Sequence, residues 1–215
     1  MKIALFDMDG TLVDSMWVWE NAPVEVLRRF DIEPDAAAFS VFREKGYRET
    51  AKFLVNRYNL PITSHEAMVM MDEAVMPAYR KDVSLKDGAL DYLRLLQEKH
   101  VKCCILTANN SELVDIVKER FGLDKYISGF ITAAGIGSTK AEPEIFIKVS
   151  LLYGAQLSDC VLFEDSSYAI KTAKPLGIKT VGVKDPFGED QQEYLQDNCD
   201  RYVASFRELI AHDIF

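Results

Sequence analysis

The sequence predicts an α/β protein: a doubly wound, Rossmann-like parallel sheet with an inserted α-helical domain. Two observations lead to this prediction. Short, continuously apolar runs alternate with segments of helical periodicity along most of the 215 residues, and a parallel sheet covered by helices on both faces produces such runs. One long interval after the first apolar run contains helical patterns only, which predicts a helical insertion between the first two strands.

The apolar runs and the periodic segments give the elements in order. Apolar runs predict strands at residues 2–6, 101–106, 129–132, 161–163 and 180–183. Between them, leucine, isoleucine and valine recur at helical spacing over residues 88–100, 112–121 and 144–153. In the long interval the helical stretches are 17–30, 35–44, 48–58 and 64–79. We therefore predict an α/β core domain from 1–14 and 85–215, and a helical domain at 15–84.

The composition excludes several classes of protein. Hydrophobic residues make up 48% and charged residues 27%, which is typical of a globular domain and not of a disordered chain. A formal charge of −9 disfavours a nucleic-acid partner, which requires a basic surface. No apolar stretch is long enough to span a membrane, and the first apolar run is too short for a signal peptide. We expect no nucleic-acid or membrane partner, and a cytoplasmic location.

Two acidic residues follow the first predicted strand, where open α/β sheets bind their ligands. Asp7 and Asp9 are two apart on an extended segment, so their side chains point to the same side. Gly10 then allows a tight turn beside a ligand. Two carboxylates this close repel each other unless a hard cation such as Mg²⁺ lies between them. An Asp turn with a capping Thr accounts for the same residues without any ligand.

The other strand ends also carry polar residues. Thr107, Ala108 and Asn109 follow the second run, at the start of a helix, where a hydroxyl and backbone N–H groups suit a phosphate. Ordinary helix capping explains them equally well. Lys140 is a further candidate for binding the phosphate, and Glu164 and Asp165 are candidates for binding the cation. Four strand ends that supply acids, a hydroxyl and a lysine together predict a pocket for a metal ion and a phosphate.

At this point the sequence resembles a known family. The segments DMDGTLVDS, ILTAN, KAEPEIF and FEDSSYAI are similar to the four motifs of the haloacid dehalogenase superfamily. The resemblance covers essentially the whole chain, with the helical insertion in the position of that family's C1 cap domain. It is strongest for the branch of β-phosphoglucomutase and phosphoglycolate phosphatase.

The resemblance implies a role for each motif residue. Asp7 is the expected nucleophile, and Asp9 the expected acid and base. Mg²⁺ is expected on the Asp7 carboxylate, the Asp9 main-chain carbonyl and Asp165, with Glu164 close by or ligating. Thr107 and Lys140 would hold the phosphoryl oxygens, and Lys140 would also restrain Asp7.

The chain also departs from the family pattern. Ala141 stands where a proline usually follows the lysine, which predicts a less rigid loop. Trp19 stands where mutases of the β-phosphoglucomutase type carry a histidine, which argues against a mutase. Asp9 argues against a dehalogenase, since dehalogenases lack this second aspartate. Cap loops select the substrate in the family, so Lys45, Tyr47 and Arg48 are candidates for substrate contacts, although a solvated Arg48 at a helix start is the more ordinary interpretation.

These residues favour a Mg²⁺-dependent phosphatase that hydrolyses a small phosphate monoester, such as a sugar phosphate, through an aspartyl-phosphate. Two alternatives stay open. The first is a phosphosugar mutase of the β-phosphoglucomutase type, and the second is a non-enzymatic phospho-acceptor or metabolite-binding regulator. The sequence does not indicate the oligomeric state or the particular substrate.

Overall fold

The computed structural model describes residues 2–212, 214 and 215, without the side chains of 42–45 and 189–190. This part of the chain contains eight strands and ten α-helices. The strands are β1 (Ile3–Phe6), β2 (Val13–Asp14), β3 (Ser84–Leu85), β4 (Lys102–Thr107), β5 (Ile127–Thr132), β6 (Cys160–Glu164), β7 (Lys179–Val183) and β8 (Arg201–Val203). The helices are α1 (Met16–Arg28), α2 (Ala36–Tyr58), α3 (Ser64–Lys81), α4 (Ala89–Glu98), α5 (Ser111–Phe121), α6 (Ala133–Ile136), α7 (Pro143–Leu152), α8 (Ser167–Ala173), α9 (Glu189–Asn198) and α10 (Arg207–Ala211).

The chain divides into two compact units, one of residues 1–14 with 84–215 and one of residues 15–83. We call them the α/β unit and the helical unit. The two chain segments that connect the units are β2 and β3, which pair antiparallel within the α/β unit, Val13 opposite Leu85 and Asp14 opposite Ser84.

Six strands of the α/β unit form one sheet in the order β5-β4-β1-β6-β7-β8, and every pair in it is parallel. The central strand β1 is completely buried, as are its two neighbours apart from Lys102 at the start of β4. Burial on both faces explains why the sequence there is continuously apolar. The predicted fold class, a doubly wound parallel sheet with helices, is confirmed.

The sequence analysis missed three of the strands. β8 lies at the edge of the sheet, and of its three residues only Val203 is buried, so it shows no apolar run. β2 and β3 contain two residues each and are too short to give a pattern. Edge and linker strands of this kind depend on their neighbours and not on their own hydrophobicity.

The helical unit consists of α1, α2 and α3, which pack on one another. Two helices were predicted at 35–44 and 48–58, and α2 (Ala36–Tyr58) consists of two helical segments that meet at a kink at Gly46. Gly46 has φ 71° and ψ 177°, which is not a helical conformation, so the helix axis changes direction there. Residues with a side chain rarely adopt this positive φ, whereas glycine does so readily. Asp35 caps the run by accepting from the N–H groups of Ala37 and Ala38. Among the described residues, no helix combines the length and the hydrophobicity that crossing a membrane requires.

Candidate active site

Three adjacent strands bring the predicted site residues together. β1 pairs with β4 on one side and with β6 on the other, and Phe6 lies opposite both Ile105 and Phe163. The loops that follow these strands therefore start at the same edge of the sheet, the carboxyl edge where open α/β folds bind ligands. The side chains after β1, β4 and β6 are the ones that the sequence analysis selected.

The backbone after β1 is held in a tight turn. The Asp7 N–H donates to the Phe163 carbonyl oxygen at 3.0 Å, which continues the strand pairing one residue beyond β1. Gly10 has φ 75°, and its N–H donates to the Val13 carbonyl at 2.9 Å as the chain folds back. A residue with a side chain would be strained at Gly10. The turn thus fixes the backbone on both sides of Asp9.

Three buried carboxylates converge beside this turn. Asp7, Glu164 and Asp165 each offer an oxygen, and these oxygens lie within 4.8 Å of one another. A hard divalent cation such as Mg²⁺ prefers carboxylate oxygens as ligands, so the donor set fits this ion. The Asp9 carboxylate does not belong to this group, and the role of the Asp9 main-chain carbonyl as a ligand stays a prediction.

Lys140 compensates part of the negative charge. Its Nζ lies 2.6 Å from Asp7 Oδ1 and also forms an ion pair with Glu164 Oε1. The Lys140 side chain is almost fully buried, in the segment between α6 and α7. The predicted contact between Lys140 and Asp7 is therefore present, and Glu164 is a second partner that the sequence did not reveal.

Three buried carboxylates share one lysine, and their environment shifts the pKa values of several of these groups. Burial, with the neighbouring Glu164, Asp7 and Asp185 carboxylates, holds the pKa of Asp165 well above its usual range. Burial also raises the pKa of Glu164 to about 7, although Lys140 opposes the shift. Burial alone would lower the pKa of Lys140, but Asp7 and Glu164 outweigh it and raise that pKa. A site with excess negative charge is what a cation would neutralise.

In the loop after β4, the residue that caps the next helix is not one of the candidate phosphate ligands. Asn110 is the N-cap of α5, because its side chain accepts from the Leu113 N–H at 3.0 Å. Thr107 ends β4 and is buried, and Ala108 is exposed. The Thr107 hydroxyl accepts from the Asn109 N–H at 3.1 Å and still has its own hydrogen to donate. Capping thus explains Asn110 but not Thr107, whose role in phosphate binding stays a prediction.

Asp9 and Asn109 form a contact that the sequence did not predict. Asn109 Nδ2 donates a hydrogen bond to Asp9 Oδ2, and both residues are half-buried. The two residues are 100 positions apart, and they meet because β1 and β4 are neighbours in the sheet. The Asn109 side chain, selected as a phosphate ligand, thus lies against the expected acid–base residue.

Two further residues act on the carboxylate cluster and were not selected from the sequence. Thr11 is buried, and its hydroxyl donates to Asp165 Oδ1 at 3.1 Å. Asp185, buried after β7, contributes to the raised pKa of Asp165. Asp185 follows an apolar run just as Asp7 and Glu164 do, so the rule of inspecting every strand end could have found it.

Hydrogen bonds within the loop that carries Lys140 stabilise its conformation. The Glu142 carboxylate accepts from the Ser138 hydroxyl at 2.8 Å and from the Thr139 N–H at 3.0 Å. Pro143 begins α7, where its fixed φ suits the first helical turn. These contacts fix the loop on both sides of Ala141, the position where the family carries a proline.

The candidate specificity residues lie in the helical unit. The Tyr47 hydroxyl donates to Asp72 Oδ1 at 2.7 Å or to the Met68 carbonyl at 3.0 Å, so contacts within the unit already occupy it. Arg48 is exposed, and the Lys45 side chain lies outside the described residues. Trp19 is buried, and its indole N–H donates to the Tyr79 hydroxyl at 2.8 Å. The roles of Lys45, Tyr47 and Arg48 in substrate contacts remain predictions.

A family model decides the classification. The model described as haloacid dehalogenase-like hydrolase matches residues 4–183, which is most of the chain and includes Asp7, Asp9, Thr107, Lys140, Glu164 and Asp165. The chain belongs to this family. The resemblance found in the sequence motifs is thereby confirmed, and so is the prediction that the protein is an enzyme.

Relatives within the haloacid dehalogenase-like hydrolases carry phosphatase names. The chain is 27% identical to the "Probable pseudouridine-5'-phosphatase" of Drosophila melanogaster, over 85% of this chain and 81% of that protein. It is 23% identical to the fructose-1-phosphate phosphatase of Escherichia coli, over 84% of this chain and 95% of that protein. A solved structure named "putative beta-phosphoglucomutase" from Thermotoga maritima matches with a TM-score of 0.77, 20% identity and 94% of each chain covered. The structural match shows that the two proteins share a fold.

Proposed function

We propose that this protein is a Mg²⁺-dependent phosphatase that hydrolyses a small phosphate monoester through an aspartyl-phosphate on Asp7. One observation carries the proposal: three buried carboxylates converge within 4.8 Å, and Lys140 is ion-paired to the one that follows β1. Phosphoryl transfer depends mainly on positioning and on neutralisation of charge, and this arrangement offers both.

In the first half-reaction, a carboxylate oxygen of Asp7 attacks the phosphorus atom. The bond between phosphorus and the ester oxygen breaks, and Asp9 gives its proton to the departing alcohol. Lys140 faces Asp7 and would hold the phosphoryl oxygens together with Thr107 and the N–H groups of the loop after β4. When bound, Mg²⁺ supplies further positive charge against the phosphoryl oxygens.

In the second half-reaction, Asp9 accepts a proton from a water molecule that attacks the phosphorus of the aspartyl-phosphate. The bond between phosphorus and the Asp7 oxygen breaks, inorganic phosphate leaves, and Asp7 is a carboxylate again. The same residue thus serves first as acid and then as base, because the first step leaves it deprotonated. The residues that would hold the ion are Asp7 and Asp165, with Glu164 beside them and already paired with Lys140.

The names of two relatives support a small phosphorylated metabolite as the substrate. One is named as a phosphatase of a sugar phosphate and the other as a probable phosphatase of a nucleoside phosphate, and both of these compounds are small phosphate monoesters. We also propose that the helical unit serves as the cap domain that selects the substrate. Within that unit Trp19 cannot exchange a proton as a histidine would, which favours the phosphatase over the mutase.

The proposal predicts turnover of p-nitrophenyl phosphate that requires Mg²⁺ and stops on addition of EDTA. Asp7→Asn should remove turnover, because an amide is a poor nucleophile, and Asp9→Asn should lower kcat about 10²–10⁴-fold. Asp91→Asn, on the surface of α4, is the matched control and should leave activity unchanged. Near-normal activity of Asp7→Asn would refute the assigned nucleophile.

The same assay separates the phosphatase from its two alternatives. With a panel of sugar phosphates, a phosphatase releases one inorganic phosphate for each ester consumed. A mutase would yield a rearranged phosphate ester with little free phosphate. Stoichiometric labelling of Asp7 without turnover would indicate a phospho-acceptor and would overturn the proposal.

A further inference from the structure

The hydrogen bond from Asn109 Nδ2 to Asp9 Oδ2 joins the loops that follow β1 and β4. Asn109 is itself anchored, because its N–H donates to the Thr107 hydroxyl and the next residue, Asn110, caps α5. The amide group therefore projects toward the Asp9 carboxylate from a backbone that these contacts hold in place.

An amide suits the task of orienting an acid–base carboxylate. Its NH₂ group donates to a carboxyl oxygen but neither gains nor loses a proton itself. A lysine or arginine in its place would hold Asp9 as a carboxylate and oppose its protonation. The hydrogen bond from Asn109 orients the Asp9 side chain without adding a charge that opposes either step of the reaction.

We propose that Asn109 is a positioning residue for Asp9, and not principally a ligand of the phosphate. This inference rests on the proposed function, since it assumes that Asp9 transfers the proton to the leaving group. The two roles differ in what they predict. A phosphate ligand supports every substrate equally, whereas a residue that positions the acid matters only where the leaving group must be protonated.

The test compares kcat/KM for p-nitrophenyl phosphate and for an alkyl phosphate monoester, with Mg²⁺ present. This parameter covers the reaction up to departure of the leaving group and excludes hydrolysis of the intermediate. p-Nitrophenolate leaves without a proton, but an alkoxide does not. For Asn109→Ala we expect a loss of about 10–100-fold with the alkyl phosphate, below the full worth of an acid. With p-nitrophenyl phosphate we expect a loss of less than about threefold.

Two further variants complete the design. Asn109→Leu keeps the size of the side chain and removes the donor, and should behave like Asn109→Ala. Asp91→Asn on the surface of α4 is the control, and it should leave kcat/KM for both substrates unchanged. Equal losses for both substrates in Asn109→Ala, or no loss for either, would overturn the inference.

The proposed function is tested separately in the same experiment. Asp9→Asn must show the selective loss with the alkyl phosphate if Asp9 is the acid. If Asp9→Asn lacks that pattern, or if the unsubstituted protein hydrolyses neither ester, the proposed function fails. If Asp9→Asn shows the pattern and Asn109→Ala does not, only the inference about Asn109 fails.

Discussion

Lys140 shows how one residue can make a site of three buried acids compatible with a folded protein. An isolated buried charge is costly, and charges of one sign within 4.8 Å add repulsion to that cost. Lys140 contacts two of the three acids, Asp7 and Glu164, while Asp165 accepts a hydrogen bond from Thr11. One cation thus serves two anions, and burial, together with the negative charge that remains, raises the pKa of Asp165.

Stabilisation by Mg²⁺ should increase with pH. The pKa of Glu164 is raised from 4.5 to about 7, and that of Asp165 is also raised, so the fold retains protons that the unfolded chain has lost. Without the ion, the contribution of these two acids to stability is therefore present at low pH and is lost as pH rises through the raised values. Mg²⁺ must displace the same protons to bind.

Thermal denaturation with and without Mg²⁺ measures this effect. The rise in Tm caused by a fixed Mg²⁺ concentration should be larger at about pH 8 than at about pH 5.5. In Asp165→Asn the rise should be small at both values. A rise in Tm that is equal at both pH values would contradict the proposed metal site.

Individual site residues could be selected from the sequence because each stands directly after an apolar run. Asp7, Thr107 and Glu164 meet that condition, so the topology of a parallel sheet alone brings their loops together. Side-chain partners could not be selected in this way. Whether Asn109 faces a phosphate or Asp9, and whether Lys140 pairs with one acid or two, depends on side-chain orientation, which residue spacing does not determine.

An ion pair links the β2–β3 strand pair to the six-stranded sheet. Lys86 directly follows β3, and its Nζ lies 2.6 Å from Asp185 Oδ2 in the loop after β7. The Lys86 N–H also donates to the Leu12 carbonyl, and its ammonium group to the Lys184 carbonyl. The Asp185 side chain is 1% exposed and that of Lys86 13%, so water does little to screen the pair.

Removal of the Lys86 charge should destabilise the protein strongly. Lys86→Met leaves the Asp185 carboxylate buried without its cation, which costs about 3–5 kcal/mol of unfolding free energy. Asp185→Asn in the same background should recover much of that loss, because it removes the uncompensated charge and retains an acceptor for the Phe187 N–H. Urea denaturation measures both variants.

The matched control for this experiment is an exposed ion pair of the same unit. Arg94 and Asp91 on α4 lie 2.9 Å apart with about half of each side chain exposed, so Arg94→Met should change the stability far less. If Lys86→Met were no more harmful than Arg94→Met, the pair would not fasten β3 to the sheet.

The elements differ in how far their own sequence determines them. Four of the five strands with apolar runs, β1, β4, β6 and β7, are buried over most of their length, and local pattern was sufficient to find them. β5 is mostly half-buried and was found from its apolar residues alone. β8 could not be found, because two of its three residues are only half-buried. The kink at Gly46 separates two helical segments, as the sequence predicted, because the backbone of this one residue is not helical.

The whole molecule consists of one unit inserted into another, and each has a core of its own. The helical unit buries apolar side chains from all three of its helices, among them Trp19, Leu54 and Val75. The carboxylate cluster lies entirely in the α/β unit. Units with separate cores can unfold in separate transitions. A ligand of one unit then stabilises that unit alone.

Both tryptophans of the chain, Trp17 and Trp19, belong to the helical unit, so their fluorescence reports its unfolding. We expect calorimetry to resolve two transitions, of which Mg²⁺ moves one. At a concentration 100-fold above its dissociation constant, Mg²⁺ should stabilise the α/β unit by about 2.7 kcal/mol, or about 5–10 °C in Tm. The fluorescence midpoint should stay unchanged, since the helical unit contains no residue of the cluster. A single transition that shifts in fluorescence and in calorimetry alike would instead mean that the two units unfold as one, with the free energy of ion binding shared across β2 and β3.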